Sequence, residues 1–219
     1  MLLLAIDTSA HLCSACLYDC DAQSVLSKDV QNIGRGHAEI LMNQITFCLD
    51  QADVGFKDVG RIGVVNGPGS FTGVRVGLAV ARGLALGLDK DAVGISSLDA
   101  CEAAAFEKAD PGVLLTLLDA RRNQAYCKHR MHREPFIKSY DELAADFPDD
   151  VQGLCGSGSI IIKQKCDLEI PVIHELSAPP IESVARLSAE AKHDGKPPEP
   201  VYLRTADAKP QSGFALKMA

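Results

Sequence analysis

The chain opens on a continuous apolar run, residues 2–6, that stops at Asp7-Thr8-Ser9. A short unbroken apolar run ended by polar turn formers predicts a buried strand followed by a turn. Residues 12–18 and 23–30 predict two further strands, joined through Asp19-Cys20-Asp21, so the three form an antiparallel meander. Asn32-Ile33-Gly34-Arg35-Gly36 is a loop. From His37 the period changes: Ile40, Leu41, Ile45, Cys48 and Leu49 recur at helical spacing. Residues 61–65 predict a strand that runs into the turn Asn66-Gly67-Pro68-Gly69-Ser70. A long helix over about 72–88, a strand over 92–95 and a helix over 98–108 capped by Ser96 or Ser97 follow. Asp110-Pro111-Gly112 breaks that last helix. Residues 113–118 and 124–129 then predict a hairpin, and Pro179-Pro180 precedes a helix over 181–192. Residues 195–200 are linker-like, and 201–204 a short ordered tail.

Three meandering strands followed by helix, strand, helix and strand form one half of an actin-like ATPase fold. The expected class from this pattern is α/β, and the topology also permits arrangements other than the actin-like one. The expected division is 1–100 and 101–219, the second a smaller unit whose tail returns to the first.

The helix over 72–88 has an unusual composition. Gly73, Gly77, Ala81 and Ala85 repeat every four residues, and Ala79, Gly83 and Gly87 form a second small row. Each interior glycine costs a helix about 1 kcal/mol relative to alanine. Something must therefore approach the backbone closely: the protein's own sheet, a neighbouring helix, or another chain.

Composition narrows the function. Across 219 residues, 47% are hydrophobic and 23% charged, enough for a sizeable core. Lys plus Arg number 22 and Asp plus Glu 29, a net charge of -7, which disfavours autonomous nucleic-acid binding. The local basic run from Cys127 through Lys128, His129, Arg130, His132 and Arg133 reads as a solvated hairpin rather than a phosphate patch. Asp119, Arg121 and Arg122 read as a salt-bridged hairpin. No apolar stretch of about 18 residues is apparent, so no membrane span is expected. The apolar start lacks a basic leader, so the expected location is cytoplasmic. The eight cysteines then read as reduced core thiols. Cys13 and Cys16 are three apart on a strand and face opposite sides, which argues against a shared metal.

Gly67-Pro68-Gly69-Ser70-Phe71-Thr72-Gly73 sits between a strand and a helix, where backbone N–H groups can hold a phosphate. It lacks the Lys-Ser or Lys-Thr of a Walker A loop and the spacing of a dinucleotide fingerprint. A structural turn with close packing is the alternative, and the favoured one.

The segment Gly67-Pro68-Gly69-Ser70-Phe71-Thr72-Gly73-Val74-Arg75-Val76-Gly77-Leu78-Ala79 resembles the signature of the TsaB (YeaZ) family. Leu4-Ala5-Ile6-Asp7-Thr8-Ser9, His37-Ala38-Glu39-Ile40-Leu41, Ser96-Ser97-Leu98-Asp99-Ala100, Leu118-Asp119-Ala120-Arg121-Arg122 and Pro200-Val201-Tyr202-Leu203-Arg204 match in the same order. The resemblance implies an actin-like (ribonuclease H-like) fold with two subdomains, each a mixed sheet flanked by helices, the first (1–100) bearing the partner-binding helices, and a role as a non-catalytic scaffold and activator. It would act with TsaD and the ATPase TsaE in threonylcarbamoyl transfer to the adenosine beside the anticodon of tRNAs reading ANN codons. TsaD is the implied heterodimer partner. TsaE would join through the pair, tRNA only indirectly, and a homodimer would form in isolation. The metal-binding histidine pair of TsaD aligns here with Ser97 and Cys101, poor ligands alone. Asp7, Thr8, Ser9, Gly67 and Gly69 would be vestigial nucleotide contacts, with no cofactor bound alone and an ATP- or ADP-type nucleotide shared in the complex. Gly153-Leu154-Cys155-Gly156-Ser157-Gly158-Ser159 is either a remnant second phosphate loop or a strand-end turn. His37 reads as a surface or capping histidine.

The expected partner and dimer face comprises Leu41, Ile45, Gly73, Val76, Gly77, Val80, Ala81 and Leu84. On it, Gly77→Leu or Ala81→Glu is expected to block partner binding without unfolding the chain. The competing expectations are an enzyme of the same fold, a glycoprotease-like hydrolase or small kinase, and a solitary nucleotide sensor.

Overall fold

The computed structural model describes residues 1–131 and 134–204. Strands β1 (Leu2–Asp7), β2 (Leu12–Asp19) and β3 (Ser24–Asn32) form the meander, followed by α1 (His37–Gln51) and a 3-10 turn at Phe56–Asp58. β4 (Val59–Gly67), α2 (Phe71–Leu88), β5 (Asp91–Ser96) and α3 (Ser97–Phe106) complete the first unit. The sheet order is β3-β2-β1-β4-β5, antiparallel across the meander and parallel from β1 through β4 to β5.

The second unit repeats this course. β6 (Leu114–Asp119), β7 (Gln124–His129) and β8 (Phe136–Ser139) are again a meander. α4 (Tyr140–Ala145), β9 (Gly153–Cys155), α5 (Ser159–Cys166), β10 (Val172–His174) and α6 (Ile181–Glu190) follow. Its order, β10-β9-β6-β7-β8, is the first sheet's order read from the other edge. Two sheets of the same actin-like topology therefore make up the described chain. The elements between 136 and 174 were not foreseen. They are three to eight residues long, too short for hydrophobic periodicity to register.

The final helix of each unit packs on the sheet of the other. α3 puts Leu98, Cys101 and Ala105 against Leu114, Leu118 and Cys155 of the second unit, and Ala100 against the first. Residue 100 thus lies inside a helix shared by both sheets. α6 lays Ile181, Val184 and Ala185 on Leu3, Ala5, Cys16 and Val65. Its ends are tied by charge. Lys28 pairs with Glu182 at the N-terminus, and Arg61 donates to the carbonyls of Ser188, Ala189 and Ala191 at the C-terminus. Acid at the start and base at the end both complement the helix dipole. Cys13 and Cys16 fall in the separate cores on the two faces of β2, as their spacing requires.

α2 is 18 residues long with mean hydropathy 1.4, apolar and long enough to cross a membrane by length and composition alone. This corrects the expectation that no such stretch exists. The two arginines, Arg75 and Arg82, do not outweigh the aliphatic residues around them. The helix lies on the first sheet through one face.

Candidate functional site

The ends of β1 and β4 are pressed together. Ser70 N donates to Ser9 O at 2.7 Å, and Thr8 Oγ1 donates to Gly73 O at 2.7 Å. Ser70 caps α2 by accepting from Gly73 N. A side chain at Gly69 would meet Ser9, one at Gly73 would meet the Thr8 carbonyl, and one at Gly77 would lie 2.6 Å from Thr8 Oγ1. The glycines therefore let α2 seat directly on the β1 turn, and the Ser70 and Gly73 N–H groups of the loop are engaged within the chain. At Gly67, φ +111°, a Cβ would lie 2.8 Å from Val201 O. Here too the close neighbour is the protein's own backbone.

The second unit copies the arrangement. Gly158 N donates to Leu117 O at 2.9 Å, and Ser157 Oγ accepts from Asp119 N at 2.9 Å. Gly156, at φ +95°, packs on the Leu117 carbonyl. Of the two alternatives for residues 153–159, the strand-end turn describes what these residues do.

Between the two units lies a cleft of about 1170 Å³. Ser9, Gly69 and Ser70 line one wall, Asp119, Arg121 and Ser157 the other, and Val201 to Arg204 close one side. Asp7 and Thr8 are absent from its lining. Asp7 is wholly buried. Its Oδ1 accepts from Ser9 N at 2.7 Å while Oδ2 has no hydrogen-bond partner. Burial pushes its carboxyl up to about 6. Arg35, Arg121 and Arg204 line the cleft against one acid, Asp119, with His11 and His37 beside them, so positive charge gathers there in a chain of net charge -7.

His37 is buried rather than on the surface, its Nε2 3.2 Å from Leu12 O. It ties the start of α1 to β2. The β6–β7 turn carries three successive left-handed residues, Arg121 (φ 58°), Arg122 (φ 53°) and Asn123 (φ 59°). This conformation is costly for residues with a Cβ and persists where neighbours hold it. Here Asp119 Oδ1 accepts from Arg121 N, and Tyr140 N donates to Asn123 O. The basic run after Cys127 is not solvated as expected but paired. Lys128 bonds Asp99 and Glu102, His129 lies 3.1 Å from Asp150, and Arg130 stacks 4.0 Å over Phe106. His132 and Arg133 lie outside the described residues.

The expected partner face needs correction. Leu41, Ile45 and Ala81 are wholly buried in the first core, and Gly73 and Gly77 are buried beneath them. Val76, Val80 and Leu84 are half-buried at its border. The face turned outward carries Phe71, Thr72, Arg75, Ala79, Arg82, Gly83, Leu86 and Gly87. Leu86 is 86% exposed, and a side chain at Gly83 or Gly87 would meet nothing within 4 Å. The sequence held the clue. Val74 and Leu78 share the helical side of Gly73, Gly77 and Ala81, whereas Arg75 and Arg82 border the other row.

Ser97 Oγ donates to Pro68 O at 2.6 Å, and Cys155 Sγ donates to Cys101 O at 3.3 Å. Ser97 and Cys101 are both buried and engaged in packing. Among the described residues, no group of three His, Cys, Asp or Glu is arranged to hold a metal ion. All eight cysteines are free, and burial pushes Cys13, Cys16, Cys127 and Cys155 up to about 12. A thiol reagent should therefore modify only the half-buried Cys20 and Cys166 quickly in the native protein, the other six reacting on unfolding. Rapid modification of more than two thiols would contradict this.

The family model of TsaD, tRNA N6-adenosine threonylcarbamoyltransferase, matches residues 25–208. The tRNA threonylcarbamoyladenosine biosynthesis protein TsaB of Haemophilus influenzae is 37% identical over 124 residues, 57% of this chain and 51% of that protein. TsaB of Escherichia coli is 31% identical over 145 residues, 66% and 62%. The matched region thus spans about half to three fifths of those relatives' length. An uncharacterized protein of Mycobacterium tuberculosis is 30% identical over 94% of this chain and 93% of its own. The solved YeaZ of Pseudomonas aeruginosa superimposes with a TM-score of 0.72 at 25% identity, over 92% of this chain and 99% of that one. The chain belongs to the TsaD family, in its TsaB/YeaZ branch.

Proposed function

We propose that this chain is a non-catalytic subunit of the machinery that makes threonylcarbamoyladenosine in tRNA, docking TsaD through the outward face of α2. The observation that carries the docking face is α2 itself: 18 residues, mean hydropathy 1.4, five of them buried in this chain. Its outer row of Ala79, Gly83 and Gly87, beside Leu86 and flanked by Arg75 and Arg82, which are bonded to residues 198–202, would let a second helix approach closely and remove apolar surface from water. Packing through one such patch also suits a homodimer when TsaD is missing, since an isologous contact uses the same surface twice. TsaE would join through the TsaD pair, and tRNA would be held mainly by other subunits. Any ATP- or ADP-type nucleotide would be shared in the complex. The free thiols fit a cytoplasmic protein.

The non-catalytic part rests on how the site residues are used. The glycine loop and its copy in the second unit are packed on their own strands. The positions aligned with TsaD's histidines are a serine and a cysteine engaged in the core.

Two measurements test this. Gly83→Glu and Leu86→Glu should leave thermal stability within about 1 kcal/mol of the native protein, as surface substitutions do, yet weaken TsaD binding at least about tenfold. Retained binding by both folded variants would remove the docking face. Depleting the protein should lower threonylcarbamoyladenosine in tRNA hydrolysates, and an unchanged level would sink the functional reading.

A further inference from the structure

Residues 198–204 have no regular secondary structure, yet they are fastened at every stage of their path across one side of the cleft. Arg82 of α2 donates from Nε to Pro198 O at 2.9 Å and again from Nη2. Asn66 at the end of β4 donates to Glu199 O at 2.9 Å, and Asn66 O accepts from Val201 N at 2.8 Å. Arg75 of α2 donates to Tyr202 Oη at 2.9 Å. Its guanidinium lies 3.6 Å from the Phe71 ring centroid and 5.7 Å from that of Tyr202. The last anchor is on the other unit. Arg204 Nη2 donates to Ala120 O at 3.1 Å and to Gln124 Oε1.

Ala120 and Gln124 are the two residues that close the left-handed turn, Ala120 N donating to Gln124 O. That turn presents Arg121 to the cleft. Both arginines of α2 are thus spent on the strap at one end, and the strained hairpin is braced by it at the other.

We propose that residues 198–204 form a strap that couples α2 mechanically to the Arg121 hairpin, so that the position of α2 sets how far this wall of the cleft stands from the first unit. Polar bonds suit such a link. They are directional and individually weak, so a small displacement of α2 moves the strap as one piece instead of being absorbed by side-chain repacking. Use of the strap by TsaD rests on the docking face proposed above; the coupling itself belongs to this chain alone.

Hydrogen exchange measured on the full chain tests it. In Arg204→Ala, the hairpin amides of Ala120 and Gln124 should exchange about tenfold faster, with β1 amides unchanged as a control for folding. Arg82→Ala is the decisive variant, because Arg82 does not touch the hairpin. It should accelerate the same hairpin amides. If Arg82→Ala leaves them at the native rate, or Arg204→Ala does, the strap transmits nothing and the proposal falls. Adding purified TsaD should slow exchange in α2 and in the hairpin together. Slowing confined to α2 overturns the coupling. No slowing in either overturns the docking face and leaves the two-variant result standing.

Discussion

Gly77→Leu should cost about 4 kcal/mol or more of stability, because it forces a large side chain into a packed contact. A Cβ at this position would lie 2.6 Å from Thr8 Oγ1 and 3.3 Å from Val64 Cγ2. The Thr8 hydroxyl cannot yield, since it is committed to Gly73 O. For a chain of this size the loss corresponds to a fall in melting temperature of about 8–16 °C. Gly83→Leu is the matched control. It replaces the same residue type on the same helix, with nothing within 4 Å of the new Cβ. Removing a glycine from an exposed helix should stabilise it by up to about 1 kcal/mol. Thermal melts of the two variants should therefore diverge in sign. If Gly77→Leu melts like the native protein, α2 does not sit on the β1 turn as described. The reversal matters for the partner question. Variants at Gly77 or Ala81 would disturb the proposed docking of TsaD by unfolding and would report nothing about the docking face.

The second large effect concerns pH. The Asp7 carboxyl is buried with one oxygen unpartnered, and desolvation raises it from 3.8 to about 6, while the Ser9 amide pulls the other way. A group that holds its proton more tightly in the folded state stabilises fully below its unfolded value. That contribution is lost as pH rises through the folded value. Stability should thus decline between about pH 4 and pH 6 and level off above, by about 3 kcal/mol in total. Asp7→Asn keeps an oxygen for Ser9 N and carries no charge at any pH, so its stability should lack this decline. Urea midpoints across that range decide the matter. Parallel profiles for native and variant proteins would mean that the ionised Asp7 carboxylate is hydrated or paired in solution and the expected desolvation is absent.

A buried, half-satisfied carboxylate is a burden on stability. In this fold it occupies the turn where Asp7-Thr8-Ser9 resembles the first phosphate turn of actin-like ATPases. Here the neighbouring glycines seat α2 over that turn, and the carboxyl is absent from the cleft lining.

Much of the molecule was legible in the residues alone. Long elements with clear periods, from β1 through α3, the β6–β7 hairpin and α6, could be read because burial of one face imposes a repeat of two or 3.6. The antiparallel meander followed from the short turns between its strands. The family followed from ordered motifs, and the packing role of the glycine-rich segment from the cost of glycine in a helix. Four things needed the tertiary structure. The second unit's topological copy of the first is built from elements too short to show a period. The exchange of α3 and α6 between sheets depends on where each helix lands. The strap from Pro198 to Arg204 depends on partners 80 or more residues away in sequence, which no local pattern records. The fourth was the side of α2 each small row would take. Periodicity fixes which residues share a face, but only the position of the sheet decides which face is covered. The sequence therefore established that α2 must be approached closely, and the three-dimensional packing decided that Gly73, Gly77 and Ala81 meet the protein's own β1 turn and sheet while Ala79, Gly83 and Gly87 are left open.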